Sequence, residues 1–93
     1  MEETARTHID LDCGIAHRRL EAWLRDELAL PATSDGWVFE HAGTTCLIAI
    51  APLEARPLGS VSIERCALRA VGAPQALDEF ERLFTLRFMS AGG

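Results

Sequence analysis

Three polar side chains that could bind a metal ion alternate with apolar ones near the start of the chain. His8, Asp10 and Asp12 occupy every second position of the segment THIDLDC. A period of two is typical of a β-strand, so the three side chains would project from one face, with roughly 7 Å between neighbours. Imidazole nitrogens and carboxylate oxygens are common metal ligands. The segment therefore allows a metal site, which His17 or His41 would have to complete.

The same residues allow two other interpretations. A carboxylate and an imidazole could act as the general base and general acid of a small enzyme. The structural interpretation is that the polar side chains face water because Ile9, Leu11 and Cys13 face the core, while Asp12 caps the helix that follows. A calcium-binding loop is excluded, because Ile15 stands where its sharp turn requires glycine. The pattern favours a solvated strand face.

Arginine supplies all nine basic residues, since the chain contains no lysine. The planar guanidinium group binds carboxylates and other anions through paired hydrogen bonds. Arg65 and Arg69 are expected on one face of a strand over residues 60–71, with Arg56 in the preceding loop. We predict that these three arginines bind a small anionic ligand, or alternatively that they form salt bridges with nearby carboxylates such as Glu54.

Composition and motifs exclude several classes of protein. Fourteen acidic and nine basic residues give a net charge of −5, so a nucleic-acid backbone would be repelled. No apolar run approaches the roughly 20 residues of a transmembrane helix, and the charged first residues do not resemble a secretory signal. Phosphate-binding glycine loops and a GxSxG nucleophile elbow are missing from the sequence. We expect a cytoplasmic protein without a nucleic-acid, membrane or cofactor partner.

The cysteines are expected to be structural. Cys13, Cys46 and Cys66 are far apart in the sequence, and no CxxC pair occurs. Each lies in an apolar, strand-like run, where a free cysteine behaves as a small buried hydrophobe. We therefore predict three buried thiols rather than a disulfide or a reactive site.

The hydrophobic pattern predicts a single α+β domain over residues 1–93. Its elements follow the order β-α-β-β-β-α. Two amphipathic helices need one apolar surface to cover, and a four-stranded, mostly antiparallel sheet provides it. We predict a two-layer α/β sandwich with both helices on one face, loosely similar to ferredoxin-like folds.

Turn residues and changes of period place these elements along the chain. Residues 42–43 are expected to form the turn of a β-hairpin. Residues 52–59 contain two prolines and a glycine and are predicted to be a connection. The phase of the next strand changes near residues 64–65, which suggests a β-bulge or a strong bend. The last helix begins near Pro74, and its end, LFTLRFM, could alternatively form a strand.

The sheet face away from the helices is expected to be partly apolar. Leu47 and Ala49 would lie on it, with Val38 or Phe39 depending on the register. Such a face is normally covered, and a second copy of the chain is the simplest cover. We predict a non-enzymatic protein-interaction or ligand-binding module that self-associates as a homodimer, with a partner protein or small ligand as other possible covers. The alternative function is a small metal-dependent or acid/base enzyme that uses the polar face of the first strand.

The chain ends in Gly92-Gly93, which resembles the tails of ubiquitin-like sulfur carriers. The resemblance implies activation of the last glycine by an adenylating partner. It is confined to two residues, because a β-grasp fold begins with a hairpin and this chain has one predicted strand before its helix. A frayed terminus is the alternative.

Overall fold

The computed structural model describes residues 6–89, so the terminal Gly92-Gly93 pair lies outside the described residues. Residues 6–89 form five antiparallel strands in the order β1-β5-β4-β3-β2. The strands are β1 His8–Cys13, β2 Ala32–Thr33, β3 Gly36–His41, β4 Thr44–Leu58 and β5 Val61–Gly72. The helices are α1 His17–Ala22, continued by a π-helical turn Trp23–Glu27, and α2 Pro74–Phe84, continued by a π-helical turn Thr85–Met89.

The α+β class is confirmed, but the predicted number of four strands is wrong. The additional strand is β2, in which Ala32 pairs with Trp37 and Thr33 pairs with Gly36. Two residues are too few to produce a recognisable period of two, so the sequence pattern did not reveal this strand. The similarity to ferredoxin-like folds is not confirmed. The helical interpretation of LFTLRFM is confirmed, because its residues continue α2.

Both helices pack on the same face of the sheet. Trp23 follows α1, and its ring centroid lies 5.5 Å from that of Phe80 in α2. Phe80 also contacts Phe39 of β3, at 5.6 Å between centroids. These buried rings join the two helices to the sheet, since large aromatic side chains contribute much of the apolar area that a small core can bury. The strands supply to this core Ile9, Cys13, Phe39, Cys46, Ile48, Cys66, Leu68 and Ala70.

The predicted cap of α1 is wrong. Ala16 occupies the N-cap position, and no side chain caps the helix there. Asp12 instead remains in β1, where its carboxylate pairs with Arg65. The chain needs residues 14–16 to pass from the sheet to the helix, so Asp12 is too far from the first turn to accept its amide hydrogens.

The hairpin turn between β3 and β4 is as predicted. His41 pairs with Thr44 across residues 42 and 43. Ala42 and Gly43 have positive φ values of 52° and 77°, the combination that a two-residue type I′ turn requires.

Residues 52–58, which we predicted to be a connection, are strand, and only Gly59 of the predicted segment lies in a turn. β4 continues to Leu58, and Leu58 pairs with Val61 across the turn at Gly59. β1 pairs with β5 only as far as Cys66, so residues 52–66 extend beyond the sheet as a two-stranded hairpin, which we call the hairpin arm. Prolines are tolerated there because no strand lies beyond β4 to require their amide hydrogens. With the arm, the molecule measures 48 × 34 × 25 Å.

The predicted bulge lies in the partner strand. The register shift is in β4, between Leu53 and Arg56, so β5 keeps its regular alternation. Val61 and Ile63 therefore lie on the opposite face of β5 from Cys66. The change of phase that suggested a bulge marks a change in which face of the strand is apolar.

Within the described part of the chain, no helix combines the length and the apolar character needed to cross a membrane.

Candidate functional site: the open face of the sheet

The sheet face turned away from the helices, which we call the open face, carries the predicted site residues. His8, Asp10 and Asp12 lie on it and are exposed, whereas their neighbours Ile9 and Cys13 are buried. The strict alternation of β1 predicted this arrangement, and the solvated strand face is confirmed. The sequence could not show which groups would lie opposite them in β5.

The two aspartates of β1 form ion pairs with two of the predicted arginines, both of which lie in β5. Asp10 lies directly opposite Arg69, and Arg69 Nε is 3.6 Å from Asp10 Oδ2. Arg65 reaches Asp12 with both ends of its guanidinium group, and its Nε donates to Asp12 Oδ1 at 3.2 Å. Arg65 Nη1 also donates to the backbone oxygen of Glu54 at 3.0 Å. The predicted salt bridges are therefore present, but with carboxylates of β1.

The bidentate contact changes the protonation of Asp12. Hydrogen bonding to Arg65 lowers the pKa of the Asp12 carboxyl below its ordinary value, and the charge of Arg56 lowers it further. The same bond raises the pKa of the Arg65 guanidinium. Asp12 is thus ionised at neutral pH, and an incoming anion would compete with it for Arg65.

The metal hypothesis gains no support from this geometry. Across residues 6–89, no group of three or more His, Cys, Asp and Glu side chains is arranged to hold a metal ion. His8 lies opposite Val71, at the end of the strand away from Asp12. The two other histidines are His17, which begins α1, and His41, which ends β3. A metal site at His8, Asp10 and Asp12 stays a prediction.

Two of the three predicted anion-binding arginines share a cleft. Arg56 and Arg65 line a space of about 310 Å³ together with Asp12, Gly14 and Ile63. Arg69 is not among its lining residues. Arg56 belongs to β4 rather than to a loop, and within residues 6–89 it has no salt-bridge partner. The arrangement leaves one guanidinium free to meet an anion in the cleft.

Exposed aliphatic side chains extend the open face along the arm. Leu58 is 58% exposed, Val61 61%, Ile63 38% and Val71 58%. All four lie on the open face, because they occupy alternate positions of β5 or pair with them. Our functional predictions did not include Leu58, Val61 and Ile63. The sequence feature that indicates these exposed residues is the phase change in β5, which the sequence analysis interprets as a bulge.

The three thiols belong to the core, as predicted. Cys13, Cys46 and Cys66 are free and buried. Burial raises the pKa of the Cys46 thiol to about 11, and it also raises the pKa values of Cys13 and Cys66. Because the thiolate is the reactive form, these cysteines are unsuited to nucleophilic chemistry at neutral pH.

Comparisons with known proteins give no match. No protein-family model fits the sequence, and no curated protein or solved structure is significantly similar to it. The function must therefore be argued from the open face itself.

Proposed function

We propose that this chain is a non-enzymatic interaction module that forms a homodimer through the open face of its sheet. The observation that carries the proposal is a row of aliphatic side chains that no helix covers. Val38 of β3 pairs with Leu47 of β4, and Leu47 pairs with Val71 of β5. Exposed apolar rows on sheet faces recur at interfaces, since removing apolar surface from water is favourable.

The charges on the same face suit a second copy of the chain. Asp10 and Arg69 form one ion pair and Asp12 and Arg65 form another, so the face is close to electrically neutral although the chain carries −5. A two-fold interface brings a surface against itself, and a strongly charged patch would repel its own copy. A face with paired charges around an apolar row avoids that repulsion.

Light scattering after size exclusion tests the proposal. At 50 to 100 µM, the wild-type protein should have twice the 10.2 kDa mass of one chain. The variant Val71→Arg should be monomeric, because it places a charge in the apolar row, directly beside Leu47. Leu86→Arg is the matched control, since Leu86 is 56% exposed, much like Val71, but lies on the helix side. Circular dichroism confirms that each variant is folded. A monomeric wild-type protein would overturn the proposal.

A second candidate function is binding of a small carboxylate in the cleft at the base of the arm. It is favoured by Arg56, which lines the cleft without a salt-bridge partner among residues 6–89. Arg65 would contribute a second guanidinium if the ligand displaced Asp12. This ligand would be an anion of a few heavy atoms, in keeping with a space of about 310 Å³.

Chemical-shift titration with acetate, succinate and citrate tests this second function. Resonances of Arg56 and Ile63 should move in a saturable way, and Arg56→Ala should abolish the change. Arg69→Ala is the matched control, because Arg69 carries the same charge on the same face outside the cleft. Equal effects of the two variants would show that only general electrostatic attraction is present.

The cytoplasmic location stays a prediction. Three free, buried thiols suit a reducing compartment, where structural disulfides are rare.

A further inference from the structure

A second cavity adjoins the cleft at the base of the hairpin arm. It has a volume of about 260 Å³ and lies between β1 and the turn Thr85–Met89, and we call it the apolar cavity. The cleft and the apolar cavity share Asp12 and Gly14 among their lining residues. Within residues 6–89, β1 is an edge strand of the sheet, so no further strand separates the two spaces along its outer side. They therefore meet around the end of β1.

Hydrophobic side chains supply most of the lining of the apolar cavity. Phe84 is buried and Met89 is 64% exposed, so the lining extends from the core to the surface. The hydrophobic lining residues are Leu11, Cys13, Ile15, Phe84, Phe88 and Met89. Covering such a surface with an apolar group is favourable, because it removes apolar area from water.

The cleft on the other side of Gly14 has the opposite chemistry. Arg56 and Arg65 line it together with the carboxylate of Asp12, so two positive groups meet one negative group although the chain as a whole carries −5. Arg65 already binds Asp12 with both ends of its guanidinium group. Arg56 has no salt-bridge partner among residues 6–89. A carboxylate can therefore bind Arg56 while Asp12 stays in place.

Gly14 leaves the passage between the two spaces open. Its φ is not positive, so the backbone conformation does not require glycine at this position. A Cβ on Gly14 would lie 3.8 Å from Ile63 Cγ2, which is an ordinary contact, and a longer side chain would extend into the space that joins the cleft to the apolar cavity. Space rather than strain therefore distinguishes glycine from larger residues here.

The joined spaces have the size of a small-molecule site. The cleft measures about 310 Å³ and the apolar cavity about 260 Å³, whereas pockets for small molecules have about 300–1,000 Å³. Each space alone is near or below the lower end of that range, and together they lie inside it. A ligand that fills both needs an anionic head group and an apolar chain.

We infer that the cleft and the apolar cavity together bind an amphipathic monocarboxylate, with its head group at Arg56 and its alkyl chain passing Gly14 to lie against Phe88. This inference rests on the second candidate function, because it names the class of carboxylate that the cleft takes. The cleft lies at the opposite end of β1 from the apolar row of the proposed dimer, since Val71 pairs with His8.

Isoleucine methyl resonances report on the two spaces separately. Ile63 lines the cleft and Ile15 lines the apolar cavity, while the buried Ile48 lines neither. Butyrate should shift Ile63 alone, whereas octanoate should shift Ile63 and Ile15 and leave Ile48 unchanged. Octanoate should bind about tenfold more tightly than butyrate or better, since each fully buried methylene contributes a factor of about three to four. 1-Octanol has the same chain without the charge and should bind about tenfold more weakly than octanoate.

Matched variants test the two ends of the site. Arg56→Ala should weaken octanoate binding about tenfold and leave 1-octanol binding unchanged, whereas Arg69→Ala should change neither. Met89→Ser should weaken octanoate binding about threefold and leave butyrate binding unchanged. Leu86→Ser is its control, because Leu86 lies in the same turn and is similarly exposed but does not line the cavity. Gly14→Val should reduce the affinity for octanoate to that for butyrate, and Met89→Ser remains decisive if Gly14→Val does not fold.

The outcomes separate this inference from the second candidate function. Shifts at both Ile63 and Ile15, with the stated dependence on chain length, support both. If octanoate shifts only Ile63 and binds no more tightly than butyrate, the cleft binds carboxylates and the joined site is overturned. If octanoate shifts only Ile15, or if 1-octanol binds equally well, the apolar cavity acts without Arg56 and the inference is again overturned. The absence of a saturable shift with every ligand overturns both.

Discussion

The two faces of one sheet differ in what covers them. Ala70 of β5 has no exposed surface, and the next residue, Val71, is 58% exposed. Both are apolar and both lie in the same strand, one step apart. Composition of the strand therefore does not decide burial here. The two helices decide it, because they lie on one side only.

Because only one face is covered by helices, we expect that face to determine the stability of the fold and the open face to determine association. The helix side has its aromatic and aliphatic side chains packed within a single chain. The open face has exposed ion pairs, which contribute little to stability, and an aliphatic row that gains energy only when something covers it. Variants of the two faces should therefore separate folding from association, and the predictions below test that separation.

The largest effect is expected from truncating the centre of the covered face. Phe80 is buried and contacts both Trp23 and Phe39, so Phe80→Ala should lower the free energy of unfolding by about 3–5 kcal/mol. Val71→Ala on the open face should cost less than about 1 kcal/mol in the monomer. Urea denaturation at submicromolar concentration, where association is weak, measures both. Equal losses for the two variants would show that the faces are not independent.

A second large effect is expected at Gly72, where the backbone of β5 lies against that of β4. Gly72 has a φ of +155°, and a Cβ there would lie 2.5 Å from Cys46 Cα and from the Thr45 backbone oxygen. Gly72→Ala should therefore destabilise the protein by about 3 kcal/mol, since both strain and a backbone clash oppose it.

Gly59 at the end of the arm is the matched control. Its φ is +65°, and a Cβ there would have nothing within 4 Å. Gly59→Ala should cost only the left-handed backbone penalty of about 1 kcal/mol. A similar loss at both glycines, measured as a change in urea midpoint, would mean that crowding at Gly72 is relieved by movement of β4.

Much of the fold could be predicted from local patterns. The alternation in β1, the aliphatic spacing of α1 and the turn at residues 42–43 each depend on neighbours in sequence, and each was confirmed. The arm could not be predicted in this way. Pro52, Pro57 and Gly59 indicate a loop. Only the pairing with β5 shows that the two prolines lie in a strand, on a stretch without an outer neighbour.

The candidate site was predictable in its residue types and not in its pairings. Exposure of Asp10 and Asp12 follows from the alternation in β1. Their partners depend on the register of β1 against β5, which joins residues about 60 positions apart and leaves no local signal. For the same reason, the sequence indicated Arg65 and Arg69 as possible ligand-binding residues without showing that both already face carboxylates.

An intermediate effect is expected from alkaline titration of the covered face. The pKa of Cys46 is about 11 in the folded chain, raised by burial from 9.0. A raised folded pKa means that stability is full below pH 9 and falls as the pH rises toward 11, because the unfolded thiol ionises first. The loss reaches about 2–3 kcal/mol at the upper end of this range.

The composition leaves few side chains other than thiols that could contribute to this titration. The chain has neither lysine nor tyrosine, so thiols are the side chains that titrate between pH 9 and 11. Urea midpoints across this range should fall less steeply for Cys46→Ala than for the wild-type protein. Parallel slopes would show that the Cys46 thiol is more accessible to water than its position in the core implies.

The smallest effect is expected from acid titration of the open face. Arg65 lowers the pKa of Asp12 in the folded chain, so this carboxylate stabilises the fold above its unfolded pKa near 4. That contribution disappears as the pH falls through the lower, folded value. Asp12→Asn should therefore have a slightly lower urea midpoint than wild type at pH 7, and the two midpoints should converge as the pH falls below the folded pKa of Asp12. Asp35→Asn is the control, because Asp35 is exposed and has no salt bridge within residues 6–89. Because Asp12 is exposed to solvent, Asp12→Asn should lower the urea midpoint far less than Phe80→Ala does. Equal decreases would show that the open face contributes as much to folding stability as the covered face.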